Sequence, residues 1–191
     1  MEKFKLGFMV GRMQPIHKGH QMLIDKGLEM CEKFVVLLGS SNVSREGKNP
    51  FTFEERKEMI KAIYGDKVEV YPIVDIGIGY TPEWGNYLVN TIKFYTGETP
   101  DFTIGGVEED RNNYLNNYPE ITRFIISRNL IKINSTKIRE IFEEYSVDEL
   151  HNEYPEYKVE KIQEAKATLN QALDSKIEPI LTKFLSEIYQ Q

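Results

Sequence analysis

Gly11-Arg12-Met13-Gln14-Pro15-Ile16-His17-Lys18-Gly19-His20 is the stretch around which the chain is organised. The apolar run before it, Leu6 to Val10, reads as a buried strand, and Lys18 to Lys33 after it reads as a helix. A strand, a tight turn and a helix N-terminus make an anion site, because the free N–H groups of the first turn point outward at the positive end of the helix dipole. Two of the chain's three histidines lie there, and their spacing puts both imidazoles on one face of that turn. Neither has to be a nucleophile: each can donate a hydrogen bond to phosphate oxygens whose charge grows in a transition state. Gly19 leaves room for a phosphate to approach the backbone. The alternatives are a surface histidine pair, which the strand–turn–helix setting disfavours, and a zinc site. Zinc is not expected, because the third histidine, His151, lies in the tail and there is no Cys/His cluster.

With 191 residues the default is one domain with a substantial core. A net charge of −6 argues against a general nucleic-acid binder, though local charge can still favour a small anion. A single cysteine, Cys31 near the end of the first helix, excludes an internal disulfide, suits a reducing compartment and reads as a packing residue. No apolar run approaches the roughly 18 residues needed to cross a bilayer. The N-terminus, with Glu2, Lys3 and Lys5, does not read as a signal segment. A cytoplasmic protein with no membrane partner is therefore expected.

Strand-like runs recur at Lys5–Val10, Phe34–Ser40, Val68–Val74, Phe102–Gly105 and Phe124–Ser127. Helical patterns separate or follow them: Lys18–Lys33, Thr52–Tyr64, Pro82–Tyr95, Glu108–Asn117 and Thr136–Tyr145. Capping boxes are read at Thr52–Glu55 and Ser146–Glu149, and an N-cap followed by proline at Thr81-Pro82. The alternation predicts an α/β fold: a mainly parallel sheet with helices on both faces, ligands binding beyond the carboxyl ends of its strands. Residues 1–145 form this domain; 146–191 read as a C-terminal helical tail, broken by Pro155 and Pro179. Leu169, Leu173, Ile177, Ile180, Leu181, Phe184, Leu185 and Ile188 make an apolar stripe in the tail, suited to packing on the body or to a homo-oligomer contact.

Four further constellations carry chemistry. In Asn134-Ser135-Thr136-Lys137-Ile138-Arg139 a capped helix start offers free N–H groups and the Thr136 hydroxyl, with Arg139 able to clamp phosphate oxygens. After the second strand, Gly39-Ser40-Ser41 leads through Arg45 and Lys48 to Asn49-Pro50-Phe51-Thr52 and Glu55-Arg56; these cations, with Arg12, Lys18, Lys137 and Arg139, suit a basic pocket in an acidic protein. Trp84 and Tyr87 share a helix face beside Asp75, and serve either as core or as a stacking platform for a flat ring. Gly105-Gly106 ends the fourth strand, a place for close backbone approach or a plain turn. Gly77 and Gly79 complete no dinucleotide fingerprint, and no P-loop pattern exists.

Together, Gly11–His20, Gly39-Ser40-Ser41, Asn49-Pro50-Phe51-Thr52 with Glu55-Arg56, and Ser135–Arg139 resemble the HxGH/ISxTxIR nucleotidyltransferase superfamily. The middle motifs and the Trp84–Tyr87 pair are similar to archaeal-type nicotinamide mononucleotide (NMN) adenylyltransferases. The Gly106–Asp110 to Tyr118-Pro119 stretch is similar to the adenylyltransferase half of fusions with a Nudix hydrolase. The resemblance spans about residues 4–145 and implies a five-stranded Rossmann-like sheet. It also implies the reaction of ATP with NMN to give NAD and pyrophosphate, with Mg2+ carried mainly on the ATP phosphates. It implies that His17 and His20 polarise the ATP phosphates, that Arg12, Lys48 and Arg139 hold phosphates, and that Gly11, Met13, Gln14, Gly19, Gly105, Gly106, Ser135 and Thr136 complete the ATP site. Ser40, Ser41, Asn49, Phe51, Arg56, Asp75 and Tyr87 would meet NMN, with Trp84 stacked on nicotinamide. No Nudix box follows, and Gly106-Val107 stands where the archaeal enzymes have Gly-Asn. A sister transferase with another phosphate acceptor, and a non-catalytic nucleotide sensor, are the alternatives.

Overall fold

The computed structural model describes residues 3–106, 114–127, 134–145, 149–150 and 159–189. Five strands form one parallel sheet: β1 (Phe4–Gly11), β2 (Cys31–Leu38), β3 (Glu69–Pro72), β4 (Phe102–Gly105) and β5 (Thr122–Ile125), in the order β3-β2-β1-β4-β5. The α-helices that lie fully within the described residues are α1 (Lys18–Met30), α2 (Phe53–Tyr64), α3 (Pro82–Thr96), α4 (Ser135–Glu144), α5 (Val159–Ala172) and α6 (Glu178–Tyr189). The strand order reverses direction at β1, whose neighbours are β2 and β4, so the crevice expected to hold a ligand opens beyond Gly11 and Gly105.

The alternation of side chains along β1 and β2 builds two cores. Leu6, Phe8, Val35 and Leu37 face α3, with Trp84, Leu88, Val89 and Ile92. Met9, Phe34, Val36 and Leu38 face the other side, with Ile24 of α1, Met59 and Ile60 of α2 and Ile138 of α4. Burial on both faces is why these strands read as continuous apolar runs rather than as an alternation.

Apart from the helix expected over 108–117, the expected elements are present, with shifted ends. α1 stops at Met30, not Lys33, because Cys31 is already extended (φ −131°, ψ 169°) and opens β2 without a loop. Cys31 is thus a buried strand residue, its Sγ 3.2 Å from the Gly27 carbonyl oxygen. β2 ends two residues before Ser40, whose φ of 50° takes the chain out of the sheet. β3 is trimmed at both ends, and β5 starts two residues earlier than expected, where Thr122 pairs with Phe102. Of the helix expected over 108–117, residues 108–113 lie outside the described residues; Tyr114 and Leu115 are buried. Residues 146–148 of the second capping box, and Pro155, also lie outside them. The tail breaks just ahead of Pro179, between Ala172 and Glu178; Pro179 itself is the second residue of α6, where a missing N–H costs nothing.

The tail stripe packs on the body. Ile177, Leu181, Phe184 and Leu185 are buried in the core that contains Ile24 and Met59, and Leu169, Leu173, Ile180 and Ile188 pack partly buried against it. Lys18 Nζ donates to the Asn170 carbonyl at 2.9 Å, so α1 is tied to α5. Among the described residues no helix is long and apolar enough to cross a membrane.

Candidate active site

His17 and His20 are first of all the N-terminal cap of α1. His17 is the N-cap in extended backbone (φ −141°, ψ 169°); its Nδ1 accepts from the Gly19 N–H at 3.1 Å, and the His17 N–H donates to His20 Nδ1 at 3.3 Å. This is the reciprocal geometry of a capping box, built from two imidazoles. The rings stack with centroids 3.8 Å apart. A neutral imidazole that accepts at Nδ1 carries its proton on Nε2, so each ring is left with one Nε2–H donor. Burial pulls His17 down to about 4, and burial followed by the charge of His17 pulls His20 well below the usual histidine value. Both rings are therefore neutral donors at pH 7, at the positive N-terminal end of α1.

The distant motif docks onto this turn. Ser135 Oγ donates to the Pro15 carbonyl at 3.2 Å, and Arg139 Nη1 donates to the Gln14 carbonyl at 3.0 Å. Arg139 Nη2 also reaches Thr136 Oγ1 at 3.2 Å. Asn134, not Ser135, caps α4, its side chain accepting from the Lys137 N–H at 2.9 Å. Two helix N-termini from opposite ends of the domain therefore meet at one turn, with the Thr136 side chain exposed between them and solvent.

Several side chains expected to meet a ligand are committed to the protein. Gln14 is 1% exposed and pairs with the backbone of Phe51 in both directions, each bond 2.9 Å. Met13 and Phe51 are buried. Arg56 is also 1% exposed and donates to the carbonyls of Thr52, Arg12, Gly39 and Ser40. Burial, then the neighbouring Arg12 charge, lowers its pKa to about 10, which leaves it protonated at neutral pH. Two further cations leave the expected basic pocket along with Arg56: Lys18 is turned to α5, and Arg45 is paired with Glu55 and the Pro50 carbonyl. Arg12 and Lys48 are exposed, and among the described residues neither has an ion-pair partner.

On the β2–β3 side, Ser40 Oγ donates to Asp75 Oδ2 at 2.5 Å, and the Ser41 N–H donates to the Ile73 carbonyl. Among the described residues, Asn49 Oδ1 is buried without a hydrogen-bond donor. Trp84, 9% exposed, belongs to the core under α3, with Tyr87 tilted against it at 5.6 Å. Gly105 and Gly106 stand half-buried at the end of β4. Reading the motif as ligand groups alone missed the capping role of His17 and His20. The signal was available, since positions 17 and 20 have the N-cap to N3 spacing.

Residues 8–141 match the family described as Cytidylyltransferase-like. The chain is 28% identical over 164 residues to the nicotinamide/nicotinic acid mononucleotide adenylyltransferase of Acinetobacter baylyi, covering 82% of this chain and 84% of that one. It is 30% identical over 130 residues to the nicotinamide-nucleotide adenylyltransferase of Pyrococcus abyssi, covering 66% and 70%. Its fold is similar to that of a bifunctional NMN adenylyltransferase/ADP-ribose pyrophosphatase from Francisella tularensis, with a TM-score of 0.70 and 22% identity. That match covers 98% of this chain and 50% of the Francisella one. With the family match running from β1 to α4, through both motifs that meet at the α1 turn, the chain belongs to the cytidylyltransferase-like family of nucleotidyltransferases.

Proposed function

We propose that the chain transfers the adenylyl group of ATP to NMN, giving NAD and pyrophosphate. The observation that carries this is the pair of neutral, capped histidines presenting Nε2–H donors at the N-terminus of α1, where α4 is docked. In the reaction an NMN phosphate oxygen forms a bond to the ATP α-phosphorus, the bond from that phosphorus to the bridging oxygen breaks, and pyrophosphate leaves with the electron pair. No group of the protein has to take a proton. Its task is to hold the two substrates in line and to stabilise the charge that builds on the departing oxygens. His17 and His20 donate to those oxygens without changing charge, and Arg12 and Lys48 supply the cations. Arg139 and Ser135 hold α4 against the turn, so that Thr136 and the first turn of α4 form the opposite wall. The donor set here is N–H, O–H and cationic, which fits phosphate oxygens; Mg2+ enters as part of the substrate, on the ATP phosphates. A Francisella relative of this fold is described in complex with AMP and a manganese ion, which supports use of a divalent cation.

The acceptor side is assigned to Ser40, Ser41, Asn49, Asp75, Trp84 and Tyr87, beyond β2 and β3. The names of the Acinetobacter and Pyrococcus relatives support a pyridine mononucleotide there. The test is to incubate the protein with ATP, Mg2+ and, in separate arms, NMN, nicotinic acid mononucleotide, phosphopantetheine or riboflavin phosphate. NAD and pyrophosphate formed in equal amounts in the NMN arm is the expected result. Pyrophosphate release only with another acceptor, or no product at high protein concentration, overturns it.

A further inference from the structure

The carboxyl ends of β1 and β2 both leave the sheet through a non-glycine residue in the left-handed region: Met13 (φ 47°) after β1 and Ser40 (φ 50°) after β2. Such conformations cost free energy and persist only where the surroundings hold them. One side chain reaches both. Arg56 Nη1 donates to the Arg12 carbonyl at 2.6 Å, directly before Met13, and to the Gly39 carbonyl at 2.8 Å, directly before Ser40. Its Nη2 donates to the Ser40 carbonyl at 3.3 Å, and its Nε to the Thr52 carbonyl, the N-cap of α2, at 3.1 Å. The bond from the Gly39 N–H to the Gly11 carbonyl at 3.0 Å completes the frame.

We propose that Arg56 is a positioning residue: its buried guanidinium locks the β1 turn, the β2 turn and the α2 cap into one rigid corner, and so sets where Arg12 and Ser40 stand against the substrates. This rests on the adenylyl-transfer reading for what is positioned, not for the frame itself. It departs from the expectation that Arg56 meets NMN, since its side chain is sealed beneath the surface that would carry the ligand. Arginine is needed because several carbonyls in different directions require a planar fork of donors, which a lysine ammonium on a flexible stem does not offer. The chain separates grip from chemistry here: Arg12 keeps its side chain exposed while its own carbonyl is held from below.

The test compares wild type with Arg56→Lys and Arg56→Met by steady-state kinetics and by amide hydrogen exchange. In both variants kcat is expected to fall about 100-fold, the size of loss that follows from misplacing reacting groups by about an ångström. The KM values for ATP and NMN are expected to move by less than about threefold, because no contacting side chain is removed and only the alignment of the reacting groups is loosened. Hydrogen exchange should speed up at residues 11–13, 39–41 and 52–56 together, while β1 and β2 stay protected. A raised KM for NMN at unchanged kcat identifies Arg56 as a direct substrate contact and overturns the proposal. So does unchanged exchange at the three segments. If the wild type itself makes no NAD, the adenylyl-transfer reading fails, and the exchange result alone decides the positioning role. If neither variant folds, nitrogen-15 spectra of the wild-type guanidinium decide it: slowed rotation and slow exchange of its N–H groups are expected, and a freely rotating group overturns it.

Discussion

His17 shows how one atom can serve architecture and chemistry together. Its Nδ1 lone pair receives the Gly19 N–H, and that same bond sends the proton to Nε2, where the proposed phosphate contact is made. Protonation would destroy the cap, because an imidazolium has no acceptor left at Nδ1 and would sit at the positive end of α1. The folded value of about 4 lies below the ordinary 6.5. The unfolded chain therefore binds more protons between those pH values, and stability rises with pH in that window. Stability present above pH 6.5 is expected to be lost as pH falls towards 4, with His17 contributing up to about 3 kcal/mol of the loss. His17→Asn retains a cap acceptor but cannot titrate, so the wild-type minus variant difference in denaturant stability should shrink as pH falls through this range. A difference independent of pH would mean that the cap does not select the neutral ring. In kinetics, His17→Ala should lower kcat by roughly 100-fold or more, as loss of one transition-state donor does, with a smaller change in the KM for NMN.

Among the elements, the α1–β2 junction carries the most constraint. With no loop between Met30 and Cys31, the helix must lie close on its strand from the first β residue. Gly27 makes that possible: a Cβ there would stand 2.1 Å from Cε2 of the buried Phe34 ring. Gly27→Ala gains helix propensity yet should destabilise the fold by about 1–3 kcal/mol, because the ring has no free space to retreat into. Chemical denaturation measures this; a stabilised variant would mean that the junction relaxes. The α2 start is built by local chemistry: Thr52 and Glu55 exchange cap bonds, and Glu55 is held in turn by Arg45 from the preceding loop. Thr52→Ala should cost about 1 kcal/mol, read in the same measurement.

For the molecule as a whole, the tail is part of the fold rather than an appendage. Ile177, Leu181, Phe184 and Leu185 complete the core over α1 and α2. The only tryptophan, Trp84, reports on the opposite face under α3. Phe184→Ala should therefore destabilise by about 3–5 kcal/mol and move the Trp84 fluorescence transition and the far-ultraviolet circular dichroism transition together. Separated transitions would show that the tail unfolds on its own.

The sequence by itself determined the five strands and the helices α1 to α4, because strand runs buried on both faces and capped amphipathic helices are local patterns. It also carried both motifs, since His17, His20, Ser135 and Arg139 have fixed spacings within their own turns. Only the tertiary structure decided which polar side chains are left for a ligand. Gln14, Arg45 and Arg56 look like site groups in the chain order, yet each finds its partner across a loop or a strand and is consumed by the scaffold. A buried donor must be satisfied, and whether the partner is a substrate or a carbonyl 44 residues away, as for Arg56 and Arg12, depends on where the two turns meet. The α1 turn that opened the reading is thus a site because α4 docks on it from 125 residues away through Arg139 and Gln14, and because Arg56 holds the walls around it.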